Sequence, residues 1–502
     1  MRITEIRTEH RTDPLGIDSP HPEFSWLVEG DPLSHYQSAY QIQAAFSRKQ
    51  LESGCPDLWD SGKVVSDRSF GILYEGAPLS DRTCYYWRVR VWNENDQPCG
   101  FSTVGSFETA FLSPDHFDAP WIGVPGDPSH GLRPGFSSED IHIPMPEVVS
   151  TSLPMFRKTF RLLSETVLSA RAYITGRGMF QLKINGLPAV GHFFEPGETD
   201  YRKEALYVTY DITSLLKEDG NLAEVTLGKG YYIEQPDGRY KKLLSYYGEL
   251  MFKCRIEIRL ADGSCQVIDS DDSWACALDG PITLSSWTGG EDHDARKHPR
   301  FTSHAQILPD PGVILKARSY PPLVVTEELP AVSVTPIDDH VILVDFGQNF
   351  AGMARFSLSA APDTKIELWY SELLKDGRIT QRTTGQPIWD SYIFRGDLVE
   401  TWQPSFCYHG FRYMEVRIIS GRVKDLSPEH FTGLKIRCDN EKTGFFETSN
   451  DAFNQIHRIT QQSIEANMYN TCTDCPHREK LGWMEVPHLM WNSLAPSYDI
   501  QN

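Results

Sequence analysis

The sequence predicts a mainly β protein, with three consecutive β-sandwich-type domains that give way to helix near the C-terminal end. Three observations carry this expectation. Short runs of alternating apolar and polar residues, separated by Pro/Gly turn signals, recur up to about residue 445. A helical apolar period first appears only at about residue 447. A chain of 502 residues is also too long for one core and should divide into roughly two to four domains.

The first unit, residues 1–112, holds the runs FSWLV (24–28), YQIQAAF (40–46) and CYYWRVRVWN (84–93). In the last run a period of two puts Tyr85, Trp87, Val89 and Val91 on one face and Tyr86, Arg88 and Arg90 on the other. Turn-rich stretches such as PLGIDSPHPE and ENDQPCG separate these runs, the pattern of a small β-sandwich. Residues 113–153 are rich in Pro, Gly, Ser and His without a period and read as a linker.

The second unit, 154–330, contains MFRKTFRL, SARAYITG, MFQLKING, ALYVTYDI, LAEVTLG and ELMFKCRIEIRL as strands. Its Asn185-Gly186 pair is a hairpin signal, because both residues tolerate positive φ. The third unit, 331–445, contains VILVDFG, GMARFSLS, TKIELWYSE, SYIFR and FRYMEVRI. From 446 to 502 the texture changes. Ser449 or Asn450 caps an amphipathic helix with Phe453, Ile456, Ile459 and Met468 roughly along one stripe.

The formal net charge of −20 argues against nucleic acid or an anionic membrane as partner, since both require a basic surface. Aromatic residues make up 12% of the chain, a supply suited to stacking on sugar rings and equally to packing strands. The opening MRITEIRTEHRTDPLGID is charged and lacks the apolar stretch of a signal peptide, and no run approaches a membrane span. The ten scattered cysteines are therefore expected to be reduced, in a cytoplasmic protein or in one whose leader has been removed.

The densest group of reactive side chains is TCTDCPHREKLGW, residues 471–483. Asp474 and Glu479 lie five apart and could divide the labour of an acid/base pair. Arg478 could hold one carboxylate ionised or grip a hydroxyl, and Trp483 could stack on a sugar. The plainer alternative is a helix N-terminus capped by Asp474, with Pro476 in its first turn and Glu479 and Lys480 in solvent. Cys472 and Cys475 form a lone C-x-x-C near His477 and His488; without a second ligand pair they read as packing cysteines. In ITLSSWTGGEDHDARK (282–297), Glu291, Asp292, His293 and Asp294 lack the spacing of a calcium loop and read as a solvated acidic loop. The glycines of LGKGYY and GYYIEQPDGR (227–239) fit no nucleotide motif.

Several stretches together resemble the bacterial and fungal α-L-rhamnosidases. These are DPLGIDSPHPEFSW with YYWRVRVWNEN, then FQLKINGLPAVG with FFEPGETDYRKEALYVTYDITSLLKEDGNLAEVTLGKGYY, then VDFGQNFAGMARF with FCYHGFRYMEVR, and finally TDCPHREKLGWME. The likeness spans nearly the whole chain in consistent order. It implies a fibronectin-type first domain, a carbohydrate-binding-like second domain, a β domain preceding the barrel, and the first helices of an incomplete six-hairpin α/α barrel. It further implies an inverting glycoside hydrolase of terminal α-L-rhamnosides, with Glu479 as general acid and Asp474, Arg478 and Trp483 contacting the rhamnose. Glu485 is the nearest acidic residue after LGW for a further substrate contact that many members make.

A twelve-helix barrel needs at least roughly 200 residues, and about 55 follow residue 447. The expectation is therefore a truncated chain with only the acid half of the site, since the family's base comes late in the barrel. The alternative is a catalytically inactive carbohydrate-binding or scaffold remnant. Partners expected are a rhamnosylated small molecule or oligosaccharide and, to cover the apolar stripe, a second copy of the chain. No cofactor is expected; calcium, bound by some family members, has no firm ligand set here.

Overall fold

Each β unit is organised by what its alternating strands bury. The computed structural model describes residues 1–30, 36–127, 135–137, 152–164, 166–384, 387–397 and 399–501. Among these, strands dominate from Arg2 to Cys438, and the first helix, α1 (Arg48–Glu52), is a single short turn. In the first unit a three-stranded sheet (Arg2–Thr8, Glu23–Glu29, Ile72–Leu73) faces a second sheet built on Gln37–Ala45 and Cys84–Asn93. Tyr85, Trp87, Val89 and Val91 point into the core between them, as the alternation predicts. Phe24 from the opposite sheet stacks on Trp87 with ring centroids 4.2 Å apart.

The second unit packs a sheet built on Val167–Arg177 and Met251–Leu260 against one containing Met155–Phe160, Met179–Ile184 and Asn221–Gly228. The Asn185-Gly186 turn forms the expected hairpin, with φ of +56° and +82°. The third unit is one large sheet centred on Val341–Ala360. The sequence divides this element into two strands, VILVDFG and GMARFSLS. The structure runs them together as 20 continuous strand residues, bent where the register with His409–Ser420 shifts between Asp345 and Phe350.

Two expected boundaries are corrected. Ile282–Ser286 and Gly290–Asp294, assigned by sequence to the second unit, pair into the third sheet, with Asp292–Asp294 parallel to Ser391–Ile393. Leu323–Pro330 joins the same sheet beside Phe431–Cys438. Within the expected linker, Trp121–Gly123 pairs with the second unit through Ile122↔Phe252, while 128–134 and 138–151 lie outside the described residues. Pairing of this kind joins residues far apart in sequence, so a short run does not reveal its partner.

No apolar gap separates the second and third units. Phe156, Val225 and Phe252 belong to one buried cluster with Met353, Phe406, Tyr408, Ile436 and Tyr469. After Cys438 come α2 (Asp451–Glu465), capped by Asn450 through Ala452 N–H at 3.0 Å, and α3 (Glu485–Leu494). They meet through Ile464, Met468 and Leu494. Phe453, Ile456 and Ile459 are more than half exposed, whereas Met468, beyond the helix end, is buried. Arg7 of the first unit reaches this region, pairing with Glu441 at 2.6 Å and with Asp499. No helix among the described residues is long and apolar enough to cross a membrane.

Trp87→Ala removes the central ring of the first core and should destabilise that unit by about 3–5 kcal/mol. Urea unfolding followed by near-UV circular dichroism checks this.

Candidate active site

The segment 471–483 is not a helix start. Residues 476–479 form a turn, and Asp474 closes a ring rather than capping a helix. Its amide donates to the Leu481 carbonyl at 3.0 Å, and its Oδ1 accepts from the Leu481 amide at 3.1 Å. The Cys475 thiol donates to Asp474 Oδ2 at 3.4 Å, and its sulfur accepts from the Glu479 amide at 3.2 Å. The C-x-x-C cysteines are free thiols, and Cys475 serves the loop's own geometry. Two glycines permit the fit. A Cβ on Gly410, in the CYHGF stretch, would lie 2.5 Å from Pro476 Cγ, and one on Gly482 would lie 2.2 Å from Thr471 Oγ1.

Lys480 anchors the loop from below. Its φ is +54°, in the left-handed region, which sends the side chain inward. The buried ammonium donates to the carbonyls of Trp287 (2.6 Å) and Tyr408 (2.5 Å) and lies over the Tyr408 and Trp287 rings at 4.2 and 5.2 Å. Burial pulls its pKa down to about 8. The floor around it is aromatic: Trp287 meets Tyr408 edge-on at 5.1 Å, and Tyr408 stacks on Tyr469 at 4.0 Å.

The second unit supplies the other wall. The Tyr231 hydroxyl donates to the Glu479 carbonyl, Tyr240 lies in hydrogen-bonding reach of Arg478, and Lys242 Nζ pairs with Glu479 Oε1 at 2.9 Å. These three residues lie within GYYIEQPDGRYKK, a segment that nucleotide motifs had failed to explain. Its signal was there as clustered Tyr and Lys, but nothing local says that it faces residue 479. Glu198, half-buried and near Lys480, joins the same wall; burial pushes its carboxyl up to about 8.

Of the residues singled out by sequence, Asp474, Arg478, Glu479 and Trp483 come together. The Trp483 indole donates to Glu479 Oε2 at 3.1 Å and keeps 49% of its surface open. Asp474 and Glu479 are close enough to share a proton. Burial raises Asp474. For Glu479 burial acts upward too, but the Lys242 and Trp483 contacts outweigh it and hold that carboxyl low. Glu485 is exposed in the first turn of α3, where a negative charge suits the helix dipole.

The expected acidic loop at 291–294 is instead a strand that is not solvated. Glu291 is fully buried and accepts the Ser405 and Phe406 amides at 3.0–3.1 Å, Asp292 accepts from Arg239 at 2.6 Å, and Asp294 pairs with Arg296 at 2.8 Å. Protein donors take these oxygens, a use that local spacing could not show.

Stacked β units thus pass into a helical segment, with paired carboxylates and an open indole at the junction. Four family models match in order: the Rha78A-like N-terminal immunoglobulin domain (3–113), the alpha-L-rhamnosidase N-terminal domain (165–322), the bacterial alpha-L-rhamnosidase concanavalin-like domain (335–437) and the bacterial alpha-L-rhamnosidase 6 hairpin glycosidase domain (441–502). The chain belongs to the α-L-rhamnosidase family.

An alpha-L-rhamnosidase of Formosa agariphila is 30% identical over 100% of this chain and 54% of its own length. The solved alpha-L-rhamnosidase of Dictyoglumus thermophilum superposes with a TM-score of 0.88 at 30% identity, over 99% of this chain and 56% of that one. That of Streptomyces avermitilis, solved with L-rhamnose, gives 0.86 at 25% identity, over 99% and 63%. The chain thus spans about half the length of the curated relatives it matches.

His477 lies buried under the loop, with Nδ1 3.7 Å from Glu372, and burial takes its pKa down to about 3. The unfolded chain takes up this proton below about pH 6.5 while the fold resists it, so stability should fall as pH drops from about 6.5 toward 3. In His477→Gln, the loss of melting temperature between pH 7 and 4 should be smaller than in the wild type.

Proposed function

We propose that this chain carries the acid half of a site that hydrolyses terminal α-L-rhamnosides, with Glu479 giving a proton to the glycosidic oxygen. One observation carries the reading: Glu479, Asp474, Arg478 and Trp483 converge on one surface where the β units meet the segment matched by the 6 hairpin glycosidase domain. The relative solved with L-rhamnose supports rhamnose as the sugar. Trp483 offers a flat face for the ring's C–H groups, and Arg478, exposed beside Tyr240, offers charged donors to its hydroxyls.

In this reading the reaction inverts, and the acid and base must lie about 6.5–9.5 Å apart with a water between them. Asp474 lies within hydrogen-bonding reach of Glu479 and leaves no such room. Asp474 is therefore not the base, and that group comes from outside this pair. The same geometry favours a second reading, a chain that binds rhamnose without turning it over.

An aryl α-L-rhamnoside assay beside calorimetric titration with L-rhamnose separates the two. Hydrolysis that falls at least about a hundredfold in Glu479→Gln, within the range of acid–base contributions, supports the first reading. Rhamnose binding with no turnover leaves the second, and neither binding nor turnover refutes both.

A further inference from the structure

Among the second-unit residues that wall the site, Lys242 is the one that brings a positive charge onto the Glu479 carboxylate, at 2.9 Å. We propose that Lys242 is a positioning residue of this site: with the Trp483 indole it holds Glu479 as a carboxylate and leaves the proton of the pair on Asp474. The inference rests on the reading of Glu479 as the acid and adds what sets its resting charge.

The geometry assigns each Glu479 oxygen a donor, Lys242 Nζ at 2.9 Å on Oε1 and Trp483 Nε1 at 3.1 Å on Oε2. The Lys242 and Glu479 side chains are 21% and 18% exposed, so water screens this pair less than an open surface bridge. Asp474 is held differently. Besides Glu479, the donors to its oxygens among the described residues are the Leu481 amide and a thiol, a weak donor, with no ammonium or guanidinium among them. A proton on Asp474 can be shared toward Glu479, whereas a proton on Glu479 would face the ammonium or the indole N–H.

The remaining charged and titratable groups around Glu479 do not replace Lys242. Arg478 is exposed and attracts Glu479 only through space while turned to Tyr240. The Lys480 ammonium is committed to two carbonyls on the buried side. Tyr231 bonds the Glu479 main chain rather than its carboxylate. Glu198 lies beside Lys480, and His477 faces Glu372. For Glu479 to act as the acid, the Asp474 proton must pass to it as Lys242 lets go. Glu479 then gives that proton to the leaving oxygen while the C–O bond breaks and a water oxygen bonds the anomeric carbon, the water's proton passing to the base outside this pair, so that Asp474 and Glu479 end doubly ionised. Lys242 thereby couples a β domain to the charge state of the acid.

The Trp483 indole N–H is a built-in reporter. Protein labelled with indole-15N tryptophan, with its Trp483 signal assigned through Trp483→Phe, is followed from pH 7 to 3. In the wild type this signal should titrate below the ordinary carboxylate range. In Lys242→Met and Lys242→Gln its midpoint should rise by about one pH unit or more, as expected for loss of an adjacent opposite charge, and Lys242→Arg should restore it. The same midpoint in the wild type and both neutral variants overturns the proposal, as does an arginine variant that behaves like methionine. The other indole signals show that each variant remains folded. No turnover is needed, so a chain that fails to hydrolyse rhamnosides leaves this test standing.

Discussion

The Lys480 ammonium, buried beneath residues 471–483, is the interaction on which the site depends. An ammonium taken out of water is stable only where donors and charge are fully met. Here the carbonyls of Trp287 and Tyr408 and the faces of their rings meet that need. Tyr408 precedes a central strand of the third sheet, and Trp287 sits at the tip of the Ile282–Asp294 hairpin on its edge. One side chain thus fixes the loop to the platform, and the left-handed backbone at residue 480 follows from that anchoring. Asp474, Glu479 and Trp483 are oriented by β structure, although they lie between the two helices of the C-terminal segment.

This arrangement requires a platform that does not flex between its parts. The buried cluster that runs from Ile122 to Tyr469 passes from the second unit through the third sheet into the helical segment. The hairpin that crosses the expected boundary ties these parts further, with Glu291 fixing it through the Ser405 and Phe406 amides. Against this rigid floor, the segment holding Tyr231, Tyr240 and Lys242 can set both the path of the loop and the charge on Glu479.

Local pattern was enough to read the strands. Alternation placed Trp87 and Val89 inside and Arg88 outside, and Asn185-Gly186 gave a turn with the backbone angles it needs. Asn450 was a visible cap, and TDCPHREKLGW was visible as a group of functional residues. What sequence could not supply was pairing across long separations. Residues 282–294 look like an acidic loop because their partners, Ser391 and Ser405, are about a hundred positions away. Lys242 and Glu479 are separated by more than two hundred residues, so no spacing rule unites them. The helix-start alternative puts Lys480 in solvent for the same reason, since its two carbonyl partners are invisible from the segment itself.

The most direct test of the account is amide hydrogen exchange over residues 474–483 in the wild type and in Lys480→Met, which keeps length and removes the charge. If the ammonium holds the loop to the β platform, exchange should accelerate at least about tenfold across this segment, a loss of roughly 1.4 kcal/mol of local stability. The strands Val341–Ala360 and Met251–Leu260 should keep their protection. Unchanged exchange at 474–483 in a folded Lys480→Met protein would contradict the claim that this buried lysine builds the site.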